Sequence, residues 1–280
     1  MSSSLWREPF TVLDGGLSTV LEEMGEQPGG MLWTAAALID RPHVIIEAHR
    51  RYVEAGADIV ISASYQASVQ GFVDAGLSVV DARLALFSTT ALARASGASL
   101  VAASVGPFGA CLGDRSEYHG RYGTSWDDVR AFHRARLEVL VDTAPDLFAI
   151  ETMPTTAEAE IVVDELRRLT DAPAWVSFTC VDDAHTYGGD RLADAVGRVA
   201  GAVQAAGVNC TAAIHVAPLL ASITDDIALV AYPNHTIEGG CSISSLVPSW
   251  LALGARAVGG CCGVGTEGVR SLATLRADLA

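Results

Sequence analysis

Three cysteines carry the sharpest chemical signal in this chain. Cys210 ends an apolar run, Gly207–Cys210, and the adjacent pair Cys261 and Cys262 follows another, Ala257–Gly260. Thiolate sulfur is a soft ligand suited to zinc. Three thiolates leave one position of a tetrahedral zinc open, the layout of a catalytic rather than a structural site. Neighbouring residues on a regular strand point to opposite faces, so Cys261 and Cys262 reach one metal only where the strand ends or bulges. Gly259-Gly260 before the pair and Gly263 after it supply that backbone freedom. Taken alone, a Cys-Cys pair is more often two buried thiols. Cys111, Cys180 and Cys241 lie elsewhere and read as ordinary thiols, and His215 and His235 are weaker ligand candidates. Two carboxylates also sit at the ends of apolar runs. Asp14 precedes Gly15-Gly16, where it could simply shape a turn. Glu151-Thr152 could cap a helix beginning near Thr155. A shared position with the cysteines favours ligand binding for both.

The elements that must position these residues are short. Apolar runs occur at Thr11–Leu13, Asp58–Ser62, Leu100–Val105, Leu147–Ile150, Ala174–Thr179, Gly207–Cys210, Ile227–Tyr232 and Ala257–Gly260. They show little polar alternation, as expected of parallel strands buried on both faces. Helical patterns fill the intervals at His43–Ala55, Ser78–Ser96, Trp126–Asp142, Ala157–Leu169, Leu192–Ala205, Leu246–Leu253 and Thr266–Leu279. Gly in Ala55-Gly56-Ala57-Asp58 and Ala206-Gly207-Val208-Asn209 reads as a helix-to-strand turn. Eight strands alternating with helices over 280 residues suggest an α/β protein, a (β/α)8 TIM barrel more than an open doubly wound sheet, as one domain over residues 1–280. Such barrels place their chemistry at the C-terminal strand ends. Asp14, Ser64-Tyr65-Gln66, Glu151, Cys210, Asn234 and Cys261-Cys262 all fall there.

Half the residues are hydrophobic and the formal net charge is −15. That charge argues against nucleic acid or an anionic membrane as partner and is compatible with a cationic small ligand. Arg7 and Glu8 interrupt any apolar stretch near the start, which predicts no signal peptide and a cytoplasmic protein whose six cysteines are free or metal-bound. Gly263-Val264-Gly265-Thr266-Glu267-Gly268 matches a dinucleotide fingerprint, but no further strand and acidic residue follow, so it is dismissed.

Leu13-Asp14-Gly15-Gly16-Leu17-Ser18-Thr19, Ser62–Ser68, Ser104-Val105-Gly106-Pro107-Phe108-Gly109, Glu151-Thr152-Met153-Pro154, Gly207–Cys210, Tyr232-Pro233-Asn234 and Gly259–Gly263 resemble the homocysteine S-methyltransferase family in order and spacing. The Ser116-Glu117-Tyr118-His119-Gly120 stretch looks most like its S-methylmethionine-dependent branch. The resemblance implies a methyltransferase that moves a methyl from a sulfonium donor, S-methylmethionine or S-adenosylmethionine, to homocysteine in methionine biosynthesis. It implies one zinc per chain on Cys210, Cys261 and Cys262, with Asp14, Glu151, Tyr65 and Asn234 as substrate-binding residues. Asp14 and Glu151 would hold the amino-acid end of homocysteine, and Asn234 would occupy the open metal position when substrate is absent. Two features depart from the family: Gly263-Val264 replaces the usual Arg-Thr, and His235–Val258 is short and lacks the usual Tyr-Asp and Trp elements. Rival readings are a water-activating zinc barrel, a betaine-dependent homologue, and an inactive or redox-sensing barrel with a structural thiolate cluster. An all-cysteine shell speaks against hydrolysis, which more often uses His and carboxylate ligands.

Overall fold

The computed structural model describes residues 6–26, 33–235 and 242–280. The apolar runs become eight strands: β1 (Thr11–Val12), β2 (Ile59–Ile61), β3 (Leu100–Val105), β4 (Leu147–Met153), β5 (Ala174–Phe178), β6 (Ala205–Ala212), β7 (Ala228–Asn234) and β8 (Ala255–Val258). They lie parallel in the order β1-β8-β7-β6-β5-β4-β3-β2. One seam, between β1 and β2, remains, and there the ladder shrinks to a bridge between Leu13 and Ile59. Side chains finish it. Asp58 accepts from the Val12 amide at 2.8 Å at one end, and Asp14 accepts from the Ile61 amide at 2.7 Å at the other. This is the expected TIM barrel, with a carboxylate closing the seam at the mouth.

Helices wrap the barrel: α1 (Leu17–Glu23), α2 (Trp33–Asp40), α3 (Pro42–Ala55), α4 (Val69–Asp74), α5 (Val79–Ala95), α6 (Phe108–Leu112), α7 (Trp126–Asp142), α8 (Thr156–Leu169), α9 (Leu192–Val199), α10 (Ala213–Ser222), α11 (Ile243–Ala252) and α12 (Thr266–Leu279). Local signals set several ends. Ser125 and Asp128 form a capping box at the start of α7, satisfying two otherwise orphaned amides. Alternation along the strands divides the core in two. Leu13, Ile59, Trp175, Val230 and Tyr232 point into the barrel with small residues such as Ala102 and Ala149, while Val60, Val176 and Ala231 pack outward against the helices. Two large aromatic rings opposite alanines fill the narrow interior as a packed core rather than a channel.

Several expected boundaries differ. The helix foreseen over Leu192–Ala205 stops at Val199, a 3₁₀ turn covers Ala200–Ala202, and β6 already begins at Ala205. Gly207 is therefore mid-strand, not a helix-to-strand turn. A Cβ there would lie 1.9 Å from the Val230 carbonyl oxygen, so close approach of β7 demands glycine. Helix α10, with Pro218 inside it, is an addition to the expected helices. Glu151 and Cys210 lie within β4 and β6 rather than beyond them, for both strands run on past a bulge.

Candidate active site

Those two bulges build the site. The register shifts between Ile150 and Met153 in β4 and between Asn209 and Ala212 in β6. At each shift one non-glycine residue has a left-handed backbone: Thr152 at φ 61° and Cys210 at φ 48°. Each such residue costs on the order of 1–3 kcal/mol and persists only where its surroundings over-determine it. Asn209 supplies much of the bracing. Its Oδ1 accepts from the Thr152 amide at 2.7 Å and from Ser177 Oγ at 2.9 Å, and its Nδ2 donates to Thr152 Oγ1 at 2.8 Å. Thr179 Oγ1 donates to the Cys210 carbonyl at 3.0 Å. A bulge re-aims side chains; here Glu151 and Cys210 both line the cavity at the mouth.

The Cys261–Cys262 pair follows the end of β8, as its chemistry required. The loop is fixed from both sides: the Cys261 amide donates to the Pro233 carbonyl at 2.8 Å, and the His235 amide donates to the Cys262 carbonyl at 3.0 Å. Gly263 turns the chain with φ 77°. Gly260 serves close packing instead, since a Cβ there would meet Val264 at 2.1 Å. The result brings Cys210, Cys261 and Cys262 together, with all three sulfurs within 4.8 Å of one another. Cys210 Sγ and Cys262 Sγ are 3.8 Å apart, and all the described cysteines are free. Tetrahedral bonds of about 2.3 Å to one zinc set sulfurs about 3.8 Å apart, so the trio fits such an ion. The neighbouring Cys210 and Cys261 thiols hold Cys262 well below the ordinary thiol range. Cys261 is pushed up by Cys210, then by Cys262 and burial.

Other candidates separate cleanly. Cys111 and Cys180 are outside the trio, and burial raises both thiols, Cys180 to about 12. Cys241 and part of the short 235–258 segment lie outside the described residues. His215 pairs with Asp183 at 2.6 Å, and His235 is exposed. Neither ring joins the trio.

The carboxylates face the same cavity of about 250 Å³. Asp14 is 3% exposed, and while Oδ2 holds the Ile61 amide, Oδ1 has no partner. The bond to Ile61, 47 residues away, braces the seam rather than the local Gly15-Gly16 turn, and it leaves one oxygen spare. Glu151 accepts from Ser104 Oγ at 2.5 Å and from the Tyr232 hydroxyl. It caps nothing, since Thr155 caps α8. Burial pushes the Glu151 carboxyl up to about 7 against the pull of Ser104 and Tyr232. Burial likewise raises Asp14 well above the ordinary range, against the Ile61 bond. Two buried carboxyls that resist bare charge are suited to receive a cation. No Lys, Arg or His is among the described residues that line the cavity.

Tyr65 lines the cavity and hydrogen-bonds Thr152. The fully buried Arg136 holds it by donating to the carbonyls of Ser64, Tyr65 and Gly106. Asn234 ends β7 half-buried, between the two residues that pin the cysteine loop; its Oδ1 is unpartnered, yet it does not line the cavity. Sequence reasoning quoted Glu117 and Tyr118 within the Ser116–Gly120 stretch but gave them no role in the site; they line the wall from the loop after β3, and Tyr118 Oη is 3.8 Å from Cys210 Sγ. The rule that barrel sites use every loop at that face would have found them.

Fold and site together define a (β/α)8 barrel carrying a three-cysteine metal-type centre beside paired buried carboxylates. The homocysteine S-methyltransferase family profile matches residues 11–275. A homocysteine S-methyltransferase of Escherichia coli K12 is 37% identical over 91% of this chain and 92% of its own, and one of Bacillus subtilis 168 is 35% identical over 95% and 94%. The crystal structure of the homocysteine methyltransferase MmuM from Escherichia coli, metallated form, superposes with a TM-score of 0.88 at 37% identity over 96% of both chains. The chain belongs to the homocysteine S-methyltransferase family, and methyl transfer to homocysteine is its chemistry.

Proposed function

We propose that the protein transfers a methyl group from a sulfonium, S-methylmethionine in preference to S-adenosylmethionine, to the sulfur of L-homocysteine, using one zinc per chain. The observation that carries this reading is the convergence of three free thiols within 4.8 Å at the barrel mouth. Cys210, Cys261 and Cys262 would hold the ion. Zinc, when bound, keeps a coordinated substrate thiol deprotonated at neutral pH. Asp14 and Glu151 bind the homocysteine ammonium, which restores the charged form that burial opposes. Tyr65, clamped through Arg136, walls the acceptor in, and such positioning lowers the barrier by several kcal/mol. Asn234, whose Oδ1 is unpartnered, would be the internal ligand while substrate is absent. In the reaction the homocysteine sulfur forms the new C–S bond, the donor C–S bond breaks, its electron pair returns to the donor sulfur as a neutral thioether, and the thiol proton leaves to solvent. The anionic mouth, with no cation among its described lining residues, favours a positively charged donor. We read residues 1–280 as one homocysteine-binding domain working in the cytoplasm; no described helix is long and apolar enough to cross a membrane.

The test supplies reduced, zinc-loaded protein with homocysteine and each donor in turn. S-methylmethionine yields two methionines per turnover, since the demethylated donor is itself methionine. S-adenosylmethionine turning over more than tenfold faster, about 1.4 kcal/mol at the transition state, overturns the preference. Activity confined to betaine or methyltetrahydrofolate overturns the sulfonium class.

A further inference from the structure

A third carboxylate lines the cavity and has no task in the chemistry above. Glu117 sits in the 3₁₀ turn Ser116–Tyr118, half-buried, with Oε2 buried and without a hydrogen-bond partner. Arg115 and His119, on either side of the turn, attract its charge, but neither makes a hydrogen bond to Oε2. The turn is held firmly. A Cβ on Gly109 would fall 2.3 Å from the Glu117 amide nitrogen, so α6 packs directly on its backbone. The next residue, Tyr118, reaches Cys210 with its hydroxyl. Asp14 and Glu151 are deeper, at 3% and 7% exposure, and each already holds protein donors. The acceptor's amino end fits that floor, which leaves the rim wall for the donor.

We propose that Glu117 binds the α-ammonium of the methyl donor, forming a donor subsite separate from the Asp14–Glu151 pair. The inference rests on the sulfonium-donor reading and deepens it. The ammonium, not the sulfonium, is the partner for an energetic reason. Transfer erases the sulfonium charge, so a carboxylate on that sulfur would favour the ground state over the transition state. The ammonium keeps its charge throughout, and binding it is neutral to the chemical step. Reach agrees: four bonds separate sulfur from ammonium nitrogen in S-methylmethionine, and one tyrosine side chain separates the Glu117 turn from Cys210 Sγ. An unpaired carboxylate in a sheltered wall also gains more from a cation than an exposed one does.

The experiment compares wild type, Glu117→Gln and Glu117→Asp, all zinc-loaded, with S-methylmethionine and with trimethylsulfonium, which has no ammonium. Glu117→Gln is expected to raise the KM for S-methylmethionine about 10- to 100-fold, the loss typical of a hydrogen bond to a charged group. Its kcat, and its KM for homocysteine at saturating donor, stay within about threefold. Trimethylsulfonium, read by turnover or as a competitive inhibitor, is expected to bind both proteins equally. Glu117→Asp, which keeps the charge, recovers part of the KM. Unchanged S-methylmethionine KM in Glu117→Gln, an equal loss for trimethylsulfonium, or a loss confined to homocysteine each overturns the subsite. A misfolded Glu117→Gln leaves the decision to Glu117→Asp, whose donor KM must then rise selectively. Wild type inactive with every sulfonium sinks the donor class itself, a different failure from an active wild type indifferent to Glu117.

Discussion

Glu151→Gln tests the charge argument at its most exposed point, because it should make the ligand-free protein more stable while destroying its affinity. Burial raises the Glu151 carboxyl from its ordinary 4.5 to about 7. Between those pH values the native protein retains a proton that the unfolded chain has lost, so stability falls as pH rises, by about 1.4 kcal/mol per pH unit. Across the window the loss reaches about 3 kcal/mol. Glutamine keeps the shape and can still accept from Ser104 Oγ, while its amide donates to the Tyr232 hydroxyl, but it does not titrate. The difference between the two proteins should thus be flat below about pH 4.5, grow in favour of the glutamine variant through about pH 7, and level off near 8. Urea unfolding of reduced, chelated protein at each pH measures it. The cysteines and Asp14 titrate in both proteins; the Glu151 charge helps to raise Asp14, so the variant also relieves that part of the Asp14 penalty, in the same direction. Homocysteine reverses the sign: its ammonium favours the carboxylate, so binding to wild type releases a proton below about pH 7 and weakens as pH falls. Calorimetry in buffers of different ionisation heat counts that proton on top of the thiol proton released at the metal, and Glu151→Gln should lose both the pH-dependent proton and the binding. Parallel pH profiles for the two proteins would refute the reasoning, as would normal homocysteine affinity in the variant.

Metal analysis under reducing conditions is expected to find about one zinc per chain in wild type, and little in Cys210→Ala or Cys261→Ala; unchanged zinc in both variants removes the trio as the metal site. Asn209→Ala strips the brace from Thr152 and should lower stability by about 2–4 kcal/mol, since it strands buried partners; a loss under about 0.5 kcal/mol in denaturant unfolding would mean the bulge holds itself.

The sequence by itself determined the ring of strands. Its eight unalternating apolar runs have no stable home except a sheet buried on both faces, and helical patterns between them force parallel order. It also determined which residues are reactive, because Cys210 and Cys261-Cys262 fall at strand ends whatever the exact boundaries. Only tertiary structure decided how they converge. The positive φ of Thr152 and Cys210 is stabilised by Asn209 and Thr179, through hydrogen bonds between residues 57 and 31 apart in sequence for the Thr152–Asn209 and Thr179–Cys210 pairs. No local pattern encodes them, and so the sequence placed Glu151 and Cys210 beyond strands that in fact continue. The same holds for Asp14. Its turn-forming neighbours are visible in the sequence, but its bond to Ile61 exists only because the barrel must close between β1 and β2. Gly207 and Gly260 look like flexible points in sequence and are sites of close approach in space. Glu117 gives the limiting case: the sequence marks it only as part of the Ser116–Gly120 resemblance, and a role appears once packing buries one of its oxygens, without a partner, in the wall of the cavity.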